Sequence, residues 1–227
     1  MTPAARPVSE RRPPRVATVL RRLEKAYGPR PWRAGGRPLD SLVGTILSQH
    51  TNDRNRDAAM ERLKARFPSW DEAADASLPA IADAIHPAGL HRRKAETIRT
   101  VLRRIRDDRG RADLRCLRRW PTPKVTEYLR ALPGVGPKTA ACVLLFCLKR
   151  PALPVDTHVH RVTRRLGLIG PKTTAEQAHE VLAEMVPEED VYAFHVLAIQ
   201  HGREVCHARR PDHAACCLRD ICPSADV

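Results

Sequence analysis

Leu132-Pro-Gly-Val-Gly-Pro-Lys138-Thr139 is the stretch whose reading decides the fold. Apolar residues recur at helical spacing before it, over Lys124–Leu132, and after it, over Pro137–Leu148. Glycine supplies the positive φ that a sharp reversal needs, and proline is favoured at the first position of the helix that follows. The stretch therefore predicts two short helices joined by a hairpin. Its Gly134, Val135 and Gly136 stand at a helix start, where backbone N–H groups can meet an anion such as a DNA phosphate, whatever the base. Lys138 falls in the first turn of the second helix, and Asp156 follows in Val155-Asp-Thr-His158. Two readings of this pair stand side by side: a phosphate-contacting lysine with a helix-capping aspartate, or an amine nucleophile with an acidic partner.

Outward from the hairpin, the pattern stays helical. Val16, Val19, Leu20, Leu23 and Tyr27 recur at spacings of three and four until Gly28 stops the run. Further helices are expected over Leu39–Gln49, Asn52–Phe67, Asp71–Ala84, Arg92–Asp107, Thr157–Leu166, Thr173–Met185 and Val191–His201, and no strand alternation appears. The fold class is all-α. Residues 1–15, rich in Pro and Arg, are expected to be a disordered basic arm.

Composition narrows the partner. The 227 residues carry 40 Lys+Arg against 26 Asp+Glu, a formal net charge of +14, which fits a polyanion such as nucleic acid. No run of 18 apolar residues exists and no signal-peptide pattern opens the chain, so a cytoplasmic, nucleoid-associated monomer with no membrane partner is expected. Cysteine usage is lopsided: Cys116, Cys142 and Cys147 lie mid-chain, while Cys206, Cys216, Cys217 and Cys222 crowd the end. That clustering points to a metal or cluster site rather than to a disulfide framework.

Leu132–Thr139, Val155–His158 and the terminal cysteines together resemble the endonuclease III family of base-excision-repair glycosylases, in the helix-hairpin-helix superfamily, from about Val16 to Cys222. The resemblance implies two helical domains, residues 36–150 holding six helices and the hairpin, and residues 16–35 with 151–227 ending in a cluster loop. It makes Lys138 the nucleophile on the sugar C1′ and Asp156 the partner carboxylate. The partner is double-stranded DNA carrying a damaged base or an abasic site. The implied reaction is excision of oxidised pyrimidines followed by strand cleavage. The alternatives are a monofunctional glycosylase for mismatched or alkylated bases and a non-catalytic DNA-structure binding module.

Leu47-Ser-Gln-His-Thr-Asn52 resembles the family segment whose glutamine fills the gap left by a flipped nucleotide, which assigns that role to Gln49, with His50 and Thr51 beside it as DNA contacts. Ala88-Gly-Leu-His-Arg-Arg-Lys94 reads as a second small turn, with Leu90 as an apolar wedge and Arg92, Arg93 and Lys94 as phosphate contacts. Helix caps and loop residues are the plain alternative at both places. The family's iron–sulfur loop spaces four cysteines by six, two and five residues. Cys206, Cys216 and Cys222 fall on three of these positions, and His213 stands on the remaining one. A 4Fe–4S cluster on Cys206, His213, Cys216 and Cys222, with Cys217 able to replace His213, is therefore expected, structural zinc being the alternative. Arg209 and Arg210 on that loop would face DNA.

Overall fold

A computed structural model describes residues 15–225, so the expected basic arm lies outside the described residues apart from Arg15. These residues contain no strand. The α-helices run in chain order as α1 Val16–Tyr27, α2 Pro38–Leu47, α3 Asp53–Arg66, α4 Trp70–Asp75, α5 Leu78–Ala84, α6 His91–Arg109, α7 Thr122–Ala131, α8 Pro137–Cys142, α9 Thr157–Arg165, α10 Ala175–Met185 and α11 Val191–Glu204. None is long and apolar enough to cross a membrane. The chain divides into two compact units, one formed by Ala34–Arg150 and one by the residues that flank it on both sides.

In the Ala34–Arg150 unit the core runs along α6, whose Ala95, Ile98, Val101, Leu102 and Ile105 are all buried, and along α2, where Leu42, Val43, Ile46 and Leu47 are buried. Two expected helices differ in form. The periodicity over 71–84 is broken at Ser77, whose side chain accepts from the Ala80 N–H at 3.3 Å to start α5 afresh, with Pro79 in its first turn. The segment after Lys138 begins as α8 but widens into a π-helical turn over Val143–Cys147. That turn carries a tie to the start of the unit: the Gly35 N–H donates to the Phe146 carbonyl at 3.0 Å, and the Cys147 thiol to the Gly36 carbonyl at 3.2 Å. The irregular link before α7 is held by stacking, with the Arg109 guanidinium 4.2 Å from the Trp120 ring centre and 4.8 Å from that of Tyr128.

The flanking unit packs α1, through Val16, Val19, Leu20 and Leu23, with a core that includes the fully buried Phe194 of α11. Tyr27 Oη and His201 Nδ1 lie 2.8 Å apart, and Trp32 stacks on Tyr192 with ring centres 6.1 Å apart. Thr174 and Gln177 close a reciprocal cap at the start of α10.

Candidate functional site

The hairpin is built as the glycines and prolines require. Helix α7 ends at Ala131, Gly134 adopts φ +72°, and the Val135 N–H closes the turn onto the Leu132 carbonyl at 3.1 Å. Leu132 and Val135 turn inward, 3% and 5% exposed, which anchors the loop to the core. Gly134 and Gly136 remain exposed, and neither N–H is hydrogen-bonded among the described residues. Pro137 occupies the first turn of α8, with Lys138 half-buried directly after it. A Cβ added at Gly134 would meet Thr97 Cγ2 of α6 at 2.8 Å, so the hairpin also rests on that helix.

The start of α6 governs a second turn. Gly89 (φ +67°) and Leu90 (φ +46°) are consecutive left-handed residues, and Leu90 is 56% exposed, the most exposed of the large apolar side chains described. A bulky residue held at positive φ stores strain that the surrounding structure must fix. Arg92 and Arg93, in the first turn of α6, are exposed. The Gln49 turn is comparable: α2 ends at Leu47, the Gln49 N–H donates to the Ile46 carbonyl at 3.3 Å, and His50 takes φ +53°. Gln49 and His50 are exposed and Thr51 half-buried, while Asn52 caps α3 by accepting from the Asn55 N–H at 2.8 Å.

Lys94 departs from expectation. It is 3% exposed, and its ammonium donates to the carbonyls of Leu47 and Ala88, both at 2.8 Å, so it is not a surface phosphate contact. Burial lowers its pKa. In sequence it is the last member of an Arg-Arg-Lys run and reads as a solvated cation. The signal for burial was its register: Lys94, Ile98, Val101 and Ile105 form one stripe at spacings of four, three and four. Thr97, the seat of the hairpin, was likewise not singled out, because a threonine beneath a glycine turn leaves no local pattern.

Asp156, in the flanking unit, is the N-cap of α9: its Oδ1 accepts from the His158 N–H at 2.9 Å and the Val159 N–H at 2.8 Å. The capping reading thus holds for one oxygen. Oδ2 takes no hydrogen bond from the described residues. The carboxylate is half-buried and rigidly oriented, with one oxygen left for other chemistry.

The terminal cysteines overturn the expected cofactor. Among the described residues, no group of three or more His, Cys, Asp or Glu side chains is arranged to hold a metal ion. Three of the four terminal thiols already have a protein partner. Cys206 Sγ accepts from Arg165 Nη1 at 3.1 Å, the Cys222 thiol donates to the Arg165 carbonyl at 3.4 Å, and Cys216 Sγ lies 3.6 Å from His201 Nε2. Burial pushes the Cys216 thiol up to about 11 and raises those of Cys217 and Cys222. Cys206, His213, Cys216 and Cys222 do border one cavity, with apolar residues such as Val162 and Leu218, but it is only about 20 Å³, enough for about one water. The 4Fe–4S cluster on Cys206, His213, Cys216 and Cys222, the use of Cys217 as a ligand, and the zinc alternative are therefore set aside. Hydrogen bonds hold the loop instead: Arg165 donates to the His207 carbonyl at 2.7 Å, Arg161 to the Cys206 carbonyl at 2.8 Å, and Arg22 to the Cys217 carbonyl at 3.3 Å. Arg209 and Arg210 are exposed on the loop so fastened.

Comparison with known proteins places this geometry. Residues 43–188 match the model of the HhH-GPD superfamily base excision DNA repair proteins. An Arabidopsis thaliana relative is 37% identical over 73% of this chain, which spans 56% of that longer protein. Endonuclease III of Thermotoga maritima is 35% identical over 82% of both chains. The solved structure of a trapped endonuclease III–DNA covalent intermediate superposes with a TM-score of 0.78 at 26% identity, covering 92% of this chain and 94% of that one. A glycine hairpin followed by a lysine, on an all-α scaffold shared over nearly its whole length, places the chain in the endonuclease III family of HhH-GPD base-excision DNA repair proteins.

Proposed function

We propose that Lys138 is the nucleophile and Asp156 the acidic partner of this endonuclease III-type DNA glycosylase and AP lyase, and that its substrates are oxidised pyrimidines in duplex DNA. The observation that carries the reading is the hairpin, which fixes an amine in the first turn of α8 beside two glycine N–H groups left open for phosphate. A trapped covalent intermediate in a structurally similar endonuclease III supports it.

The chemistry follows from groups in hand. A base inside a duplex must be extruded before its glycosidic bond is reachable, and a damaged base costs less to unstack. Leu90 as wedge and Gln49 as filler supply that opening. The free Asp156 oxygen stabilises positive charge as it develops on the sugar. Lys138 Nζ gives up a proton and forms a bond to C1′ as the bond from C1′ to the base breaks, the base leaving with the electron pair and taking up a proton. Opening of the sugar ring gives a Schiff base, the iminium acidifies C2′, and loss of a C2′ proton expels the 3′ phosphate. Hydrolysis of the imine then frees Lys138.

Borohydride trapping on a thymine-glycol duplex tests the assignment. Wild type gives a covalent adduct and Lys138→Ala gives none. Asp156→Asn keeps a cap acceptor but removes the charge, and is expected to slow base release by about 10²- to 10⁴-fold. Base release without an adduct would instead support a monofunctional glycosylase. Tight binding with neither release nor nicking would support a DNA-structure binding module.

A further inference from the structure

We infer that Lys94 is a positioning residue that locks the Gln49 turn and the Leu90 turn at one spacing, so that wedge and filler enter the duplex as a unit. The inference rests on the duplex-opening role proposed for those two residues.

The geometry is specific. Lys94 Nζ donates at 2.8 Å to Leu47, two residues before Gln49, and at 2.8 Å to Ala88, two residues before Leu90. Leu47 is the last residue of α2, and Ala88 ends the 3-10 turn His86–Ala88, so both carbonyls belong to helix ends, where no intrahelical N–H serves them. One cation thereby satisfies two helix C-termini and fixes the distance between the loops that leave them.

Stability of α6 alone does not explain the choice. Position 94 begins the buried stripe of Ile98, Val101, Leu102 and Ile105, where an apolar side chain would continue the core. Replacing a buried charge by a hydrophobe of similar volume is often neutral or stabilising, so a retained ammonium is accounted for by what it holds. What it holds are two turns that each contain a left-handed non-glycine residue, His50 and Leu90. Such conformations persist only when the surroundings over-determine them.

The test is Lys94→Met in the full chain, read by fluorescence of 2-aminopurine placed beside an abasic-analogue site in a duplex. This readout reports opening of the stack and needs no chemistry at Lys138. A melting curve establishes that the variant is folded, and Lys94→Gln, which keeps an N–H donor on a shorter arm, serves as second variant. The expected result is opening slowed by about 10- to 100-fold in Lys94→Met, the scale of a displaced positioning group, with partial recovery in Lys94→Gln. In a double-mutant cycle, Leu90→Ala is expected to add little on the Lys94→Met background, since both act through one event. The slope of log affinity for undamaged duplex against log salt is expected to stay at the wild-type value. Wild-type opening rates in both variants, full multiplication of the two losses, or a salt slope reduced by about one, the mark of a lost phosphate contact, each overturns the inference. Failure of wild type to trap would count against Lys138 alone and leave the opening measurement intact.

Discussion

The hairpin depends on one missing methyl group. Gly134 combines φ +72° with a Thr97 Cγ2 atom that an added Cβ would meet at 2.8 Å. The left-handed conformation costs an L residue about 1–2 kcal/mol, and an overpacked contact adds about 1–3 kcal/mol. Gly134→Ala is therefore expected to destabilise the protein by about 2–5 kcal/mol in denaturant unfolding. Thr97→Ser in that background removes Cγ2 yet keeps the hydroxyl that bonds the Arg93 carbonyl at 3.1 Å, so it should recover the clash but not the φ strain. Full recovery, or none, would show that this division is wrong. The glycine was legible because proline and glycine at a helix junction have few uses. Lys94 was not: three cations in a row read as surface, and only its register on α6 marked it as interior.

At the scale of the element, what could be read were the signals with a local cause. Ser69, Ser77 and Asn52 each accept from a backbone N–H three residues on, a local cause for each helix start, although the start at Ser77 fell inside the single helix expected over Asp71–Ala84 because the apolar spacing runs on across it. Asn52 matters most to the site, since it begins α3 three residues after Gln49. Asn52→Ala is expected to cost about 1 kcal/mol and to lower the melting temperature by about 2–4 °C, with Asn52→Asp close to wild type. An unchanged melting temperature in the alanine variant would mean that α3 is held by packing alone. The π-helical turn over Val143–Cys147 had no such local cause. Its apolar residues suit an α-helix equally well, and the Phe146 carbonyl bond to Gly35 comes from more than a hundred residues away. The cysteine spacing misled for the opposite reason: it matched a pattern, but the thiol partners, Arg165 and His201, lie on helices outside the pattern.

For the molecule as a whole, the charge of +14 is the property that reaches furthest from the surface, and it acts on any duplex whatever its damage. Neutralising phosphates releases counterions, so affinity falls with salt at a slope of about −0.9 per phosphate contacted on duplex DNA. With six to ten such contacts, binding to undamaged duplex should weaken by about 10³- to 10⁵-fold between 50 and 200 mM salt. Arg92 and Arg93 are exposed on the turn that also presents Leu90, and Arg209 and Arg210 on the terminal loop. Removing either pair as a double alanine variant is expected to reduce the slope by about two. Damaged and undamaged duplexes should weaken in proportion, because phosphate contacts carry no information about the base. A titration series over four salt concentrations on both duplexes decides the matter. A slope that survives loss of Arg92 and Arg93 would place the phosphate contacts elsewhere, and a fall confined to damaged DNA would make these arginines readers of the opened site rather than of the backbone.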